Sequence, residues 1–263
     1  MSVAIHSLAL VGKKAQLGEN VTIGPSAILG DDVVVGDEST IAPYAIIQDG
    51  ARLGKGCKIA SFAVIGGPPQ DLKYKGEPTL LELGDKCDVR EYVTLNRGTI
   101  ETGKTVIGSN CLIMANAHVG HDCIVGNNCI LANSVALAGH VSLDNWVIIG
   151  GLTPVHQFVR IGDNTMVGGG YRVTKDIPPY IRSGREPMVF EGLNSVGLRR
   201  RGFNREAIEL IDKAYTLIYL SNLNVSQAVV RIKEELEQIP EIQNILDFIA
   251  SSKRGIIPGP SHH

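Results

Sequence analysis

Aliphatic residues recur every six positions along most of this chain, with small or polar residues between them. The beat is unbroken through ten units beginning at Val11, Leu17, Ile23, Leu29, Val35, Ile41, Ile47, Leu53, Ile59 and Ile65. Three more start at Leu83, Val89 and Leu95, and a further twelve follow without a break from Ile107 to the unit at Val173. A repeat this short and this sustained marks a solenoid. It predicts a parallel β-helix in which three units form one triangular coil, about eight coils stacking at a strand spacing of roughly 4.8 Å. The first position of each unit fills the prism. The fifth also points inward, near a corner where only small or β-branched side chains fit, as at Ala15, Val21, Ala27, Val33, Ser39 and Ala45. Gly or Ala at the second position is expected to serve a positive φ or a close backbone approach.

The beat fails twice before it stops. Residues 67–81 carry the polar run Gln70-Asp71-Leu72-Lys73-Tyr74-Lys75-Gly76-Glu77, and residues 98–106 form a second break. Both read as loops leaving the prism, and charged and aromatic residues gathered in a loop point to function. After Val173, Asp176-Ile177-Pro178-Pro179-Tyr180 ends the solenoid, and a bridge leads to Arg199-Arg200-Arg201-Gly202-Phe203. Three amphipathic helices are predicted beyond it. Asn204 caps the first. Asn224 with Gln227 makes a capping box for the second, which runs to about Ile239. Pro240 opens the third, which ends near Lys253 before Gly255. The expected division is a β-helix domain over 1–190, a helical domain over 191–257 and a disordered tail over 258–263, with His262 and His263 set aside.

Composition narrows the class. A length of 263 residues with 44% hydrophobic content suits one large domain and one small one. A formal charge of −2 argues against a general nucleic-acid binder. No apolar run approaches 18 residues and no basic leader precedes the repeats, so a cytoplasmic protein without stable membrane insertion is expected. Cys57, Cys87, Cys111, Cys123 and Cys129 all fall on the inward fifth position. They read as small core residues of a protein kept in a reducing compartment, with neither disulfides nor a zinc site.

Four histidines, His118, His121, His140 and His156, lie within residues 118–156. One coil is 18 residues, so Gly139 stacks over His121, His140 over Asp122, and His156 over Ala138. Three chemistries fit this cluster. A histidine held by Asp122 can be a general base, with a Gly139 N–H stabilising an oxyanion. Histidines on a β-helix can instead ligate a metal, as in γ-type carbonic anhydrases. They can also line a subunit interface.

The runs Asn116-Ala117-His118-Val119-Gly120-His121-Asp122-Cys123, Gln70-Asp71-Leu72-Lys73-Tyr74, Gly150-Gly151-Leu152-Thr153-Pro154-Val155-His156-Gln157-Phe158 and Arg200-Arg201-Gly202-Phe203 resemble the UDP-N-acetylglucosamine O-acyltransferase family over essentially the whole chain. The resemblance implies a left-handed β-helix, which departs from the usual right-handed crossover. It implies transfer of a 3-hydroxyacyl chain from acyl carrier protein to the sugar 3-hydroxyl of UDP-N-acetylglucosamine, at the start of lipid A biosynthesis. His121 is then the base, Asp122 its support and Gly139 the oxyanion donor, with no metal or cofactor. Asp71, Lys73, His118, His140, His156, Gln157, Asn194 and Arg200 become substrate-binding positions, and Gly169 the end of an acyl channel. The family's active form is a homotrimer with a site between neighbouring prisms. A 3-amino sugar remains an alternative acceptor. The chain departs from relatives at Asn96, where some carry His, and in the bridge around residues 182–190.

Overall fold

The computed structural model describes residues 3–260. Its strands, most of them two residues long, stack into three parallel sheets, each fed once per coil, and the whole is a left-handed parallel β-helix. One sheet runs from Leu10–Val11 to Pro154–Val155, in a register that places Thr94, His118, Ala136 and Pro154 in one column. Another runs from Ala4–Ile5 to Met166–Val167 and gains the antiparallel hairpin Ile181–Gly184 and Val189–Leu193. The hairpin occupies most of what the sequence suggested was a connecting bridge. The expected boundary at 190 falls inside its second strand.

First-position residues such as Ile23, Ile47, Ile65, Leu95, Val119 and Leu137 are buried throughout the prism. Each such side chain contributes roughly 1.5–3 kcal/mol on transfer from water. The five cysteines are free and buried. Second-position glycines in the regular coils are explained by close approach, while Gly66, where the first loop leaves, also takes a positive φ. A Cβ on Gly36 would stand 2.5 Å from the Gly54 carbonyl carbon, and one on Gly120 would stand 2.9 Å from the Leu137 oxygen. Left-handed backbone falls instead on the fourth position, at Asn20, Asn116, Asp122, Asn128 and His140 among others. Asn, Asp and His tolerate that region best after glycine.

Along one corner of the prism, turn N–H groups are captured by side chains one coil above. Ser109 N donates to Asn127 Oδ1 at 2.8 Å, Asn127 N to Asn145 Oδ1 at 2.9 Å, and Asn145 N to Asp163 Oδ1 at 2.9 Å.

Four helices follow among the described residues, one more than the sequence suggested: α1 (Ser195–Arg200), α2 (Arg205–Tyr219), α3 (Val225–Glu235) and α4 (Pro240–Ser251). The caps at Asn204 and the Asn224–Gln227 capping box form as read. Helix α1 was missed because Gly197 weakens its local pattern; the Asn194 side chain caps it through Gly197 N at 3.2 Å. Helix α3 stops at Glu235, short of Ile239, with Leu236 and Ile239 both extended ahead of Pro240. Tyr215 Oη donates to the Pro179 carbonyl at 2.6 Å, tying α2 to the end of the prism. The tail is ordered further than expected: Phe190 N donates to the Pro258 carbonyl at 3.0 Å. His262 and His263 lie outside the described residues.

Candidate active site

Both loops leave at the same corner of the prism. Residues 68–79 depart after the strand Val64–Gly67 and rejoin at Leu80–Leu83; residues 97–103 depart after Thr94–Asn96 and rejoin at Lys104–Ile107. Directly above, the strand His118–Val119 turns through Gly120, His121 and Asp122, and the next coil turns through Ala138, Gly139 and His140. Two excursions below and two narrow turns above leave a hollow of about 570 Å³, lined by Gln70, Asp71, Leu72, Lys73, His118, Gly120, His121, Ala138, Gly139 and Gln157. Six of the predicted residues thus meet in one cavity.

His121 is held from behind. Its Nδ1 lies 2.7 Å from Asp122 Oδ2, and both residues are buried. A carboxylate partner makes Nδ1 the protonated nitrogen and leaves Nε2 as the free acceptor. Asp122 is itself enclosed. Thr99 donates to it through both N and Oγ1 at 2.8 Å, Thr102 through Oγ1, and the Asp122 N–H goes to Thr105 Oγ1 at 2.8 Å. Burial pushes this carboxyl up, but the hydrogen bonds from Thr102, His121 and Thr99 outweigh it and hold the group below the usual carboxylate range.

Gly139 has no side chain for a geometric reason. A Cβ there would sit 2.5 Å from His121 Cε1 and 2.6 Å from Nε2. Its N–H finds no acceptor among the described residues, whereas the neighbouring Ala138 and His140 N–H groups both bond to backbone carbonyls. Along a different corner of the prism, the turn N–H groups of Ser109, Asn127 and Asn145 are capped by an Asn or Asp one coil above. Here the residue one coil up is Gln157, and the donor stays free at the cavity wall.

His118 Nδ1 lies 2.7 Å from Thr94 Oγ1; burial first, and the neighbouring His121 second, hold its pKa below the ordinary histidine value, so it is neutral. His140 does not line the cavity. It stands behind His121, edge-on at 5.2 Å, stacked on Phe158 at 4.6 Å, with Nε2 3.5 Å from Asp122 Oδ2 and 3.6 Å from Glu101 Oε2. His156 is exposed on the next coil, its Nδ1 3.1 Å from the Gln157 carbonyl. His121, Asp122 and His140 offer ligand atoms within 4.8 Å of one another. The Asp122 oxygens already accept from Thr99, Thr102 and His121, however, and that arrangement suits a fixed base better than a metal ligand. Cys123 is no rival nucleophile: burial pushes its thiol up to about 12.

The remaining predicted residues lie elsewhere. Asn194 and Arg200 line a larger hollow of about 990 Å³ with Trp146, Met166, Arg182 and Arg201. It is the bigger of the two but holds no histidine and no carboxylate, so the chemistry is assigned to the smaller. Both ends of the Asn194 amide are committed, Nδ2 donating to the Asn164 carbonyl at 2.8 Å and Oδ1 capping α1. Gly169 lies at another corner, packed on Gly151 of the coil below. The basic run near α2 is split, since Arg201 lies over the Trp146 ring at 4.9 Å and Arg205 pairs with Glu209 at 2.6 Å. Thr99 and Thr102 were not recognised from sequence, because an aperiodic loop has no register from which to place them.

Comparison with known proteins gives a consistent set of relatives. A family model described as UDP-N-acetylglucosamine O-acyltransferase, domain 2, matches residues 176–257, and a bacterial transferase hexapeptide model matches 14–47, 32–67 and 104–139. An acyl-[acyl-carrier-protein]–UDP-N-acetylglucosamine O-acyltransferase of Thiobacillus denitrificans is 44% identical over 96% of this chain and 98% of its own length. The crystal structure of a UDP-N-acetylglucosamine acyltransferase from Bacteroides fragilis matches at TM-score 0.94 and 47% identity, covering 96% of this chain and 99% of that one. One from Francisella novicida matches at TM-score 0.94 and 36% identity, covering 98% and 95%.

Proposed function

We propose that this chain, which belongs to the UDP-N-acetylglucosamine O-acyltransferase family, transfers a 3-hydroxyacyl chain from acyl carrier protein to the 3-hydroxyl of UDP-N-acetylglucosamine, opening lipid A biosynthesis. The observation that carries the reading is the pairing of a carboxylate-held His121 with an unoccupied Gly139 N–H at one cavity wall. His121 Nε2 takes the hydroxyl proton, and the oxygen attacks the thioester carbonyl. The resulting oxyanion meets the Gly139 N–H. Collapse expels the carrier thiolate, which recovers the proton from His121. A positioned base contributes ~10²–10⁴-fold and one oxyanion donor about 10²–10³-fold. Asp71, Lys73, neutral His118 and Gln157 edge the same cavity and are assigned to the nucleotide sugar.

Asn194 and Arg200 lie in a different hollow of the same chain. This separation supports a homotrimer in which the neighbouring subunit brings that hollow against the histidine cavity. The acidic carrier docks beside the cationic start of the helical region, at Arg199 and Lys213. Five free buried thiols suit a reducing cytoplasm, and no helix among the described residues is long and apolar enough to cross a membrane.

The test is transfer from a panel of 3-hydroxyacyl carrier proteins to UDP-N-acetylglucosamine and, in parallel, to its 3-amino analogue; transfer to neither contradicts the assignment. The shared site is tested by co-expressing His121→Ala and Arg200→Ala chains. Random trimers then hold about a quarter of their interfaces with both halves intact, so activity returns to that level if each site spans two subunits. Failure of the mixture to exceed either parent contradicts it.

A further inference from the structure

We infer that Thr99 and Thr102 are positioning residues, and that the short loop at 97–103 serves to hold the Asp122 carboxylate against His121. The loop leaves the prism beneath Asp122 and supplies its carboxylate with donors. The loop brings three: Thr99 N, Thr99 Oγ1 and Thr102 Oγ1. Thr102 Oγ1 also lies 3.0 Å from the Lys104 carbonyl, but its single proton goes to the ionised acceptor, the stronger of the two. The coil below adds Thr105 Oγ1, which accepts the Asp122 N–H and fixes the backbone from which the carboxylate projects.

The need is physical. The Asp122 side chain is fully buried, and among the described residues no lysine or arginine forms an ion pair with it. Left without donors, a buried carboxylate turns toward water or takes a proton. Either change removes the acceptor that keeps His121 Nδ1 protonated and its Nε2 aimed into the cavity. The charged and titratable groups around His121 are Asp122 beside it, His140 edge-on with Glu101 beyond, neutral His118, and Asp71 and Lys73 across the hollow. The threonine donors also divide the Asp122 charge. When one is lost and the others keep the carboxylate ionised and in place, more of that charge falls on His121, and the imidazolium is favoured to higher pH.

The inference rests on the reading of His121 as base for its kinetic consequence, so the experiment includes a measurement independent of turnover. Thr102→Val and Thr99→Ser/Thr102→Ser are compared with wild type, with the exposed Ile100→Ala as a loop control. NMR titration of the His121 imidazole is expected to show protonation at higher pH in Thr102→Val, with the wild-type curve restored by the serine variant and kept by Ile100→Ala. In the acyl-transfer assay, Thr102→Val should lower kcat about tenfold or more, as expected for losing one hydrogen bond to a charged group. Its KM for the sugar nucleotide should stay within about twofold, because a residue acting through Asp122 leaves ground-state binding alone. The acid limb of its pH profile should move up with the NMR curve. An unmoved His121 titration with unchanged kcat overturns the inference. A moved titration with full activity in His121→Ala upholds the hold on Asp122 and refutes the base assignment instead.

Discussion

Adding one methyl group at Gly139 tests the geometry of the base with little disturbance to the fold. A Cβ built there lies 2.5 Å from His121 Cε1, 2.6 Å from Nε2 and 3.1 Å from Nδ1. Ordinary contact begins near 3.4 Å, so the ring must retreat by about 0.9 Å or the turn must open by as much. Its retreat is blocked by His140, edge-on at 5.2 Å, and by the Asp122 hydrogen bond at 2.7 Å. A misplacement near 1 Å at a reacting group can cost about 10²-fold, equivalent to roughly 2.7 kcal/mol of barrier at 1.36 kcal/mol per decade. Alanine keeps the backbone N–H, and Gly139 does not have a positive φ, so the oxyanion donor and the backbone both survive. Gly139→Ala should therefore lower kcat/KM for acyl transfer about a hundredfold, with a melting temperature within a few degrees of wild type. Retention of a third or more of wild-type activity by a well-folded Gly139→Ala protein refutes the placement of His121 Nε2 beside Gly139.

Two further outcomes follow from other parts of the chain. A Cβ at Gly169 would stand 2.9 Å from the Gly151 carbonyl oxygen, so a side chain added there shifts the turn slightly as it fills the space between the two coils. Gly169→Met should shift donor preference several carbons shorter than that of wild type, each lost methylene contact being worth roughly 0.8 kcal/mol; competition between donors of different length reads this directly, and an unmoved profile removes Gly169 from the acyl channel. Asp144 is a half-buried carboxyl that burial, then Asp163, pushes up to about 6. Its native pKa exceeds its unfolded one, so the native state binds more protons between about pH 4 and 6, and the cost of ionisation is fully present above that window. Asp144→Asn should raise the melting temperature at pH 7.5 by about 2–4 °C, taking about 1 kcal/mol after discounting for exposure. The gain should vanish below pH 4; an equal gain at both pH values contradicts the assignment.

What the sequence made legible follows from the solenoid's regularity. Eighteen residues per coil places Gly139 over His121 and His140 over Asp122 without any structure, and the inward fifth position accounts for all five cysteines. The same rule failed where periodicity ends. Residues 97–103 obey no register, so the three loop donors to Asp122 could not be placed, although counting back one coil less a residue from Asp122 does reach Thr105. The hairpin at 181–193 was missed because Pro178, Pro179 and Pro187 with Gly184 and Gly192 look like a connection, yet backbone edges at the top of the prism need partners. Asn194 was assigned to substrate, and the fold employs both ends of its amide in capping α1 and bridging to Asn164.

The role of His121 as the base for acyl transfer to the sugar hydroxyl is tested by single-turnover transfer by His121→Ala beside wild type at saturating UDP-N-acetylglucosamine. The rate should fall about 10²–10⁴-fold, with sugar-nucleotide affinity by calorimetry and the melting temperature little changed. A rate within tenfold of wild type, under the same saturation, contradicts it.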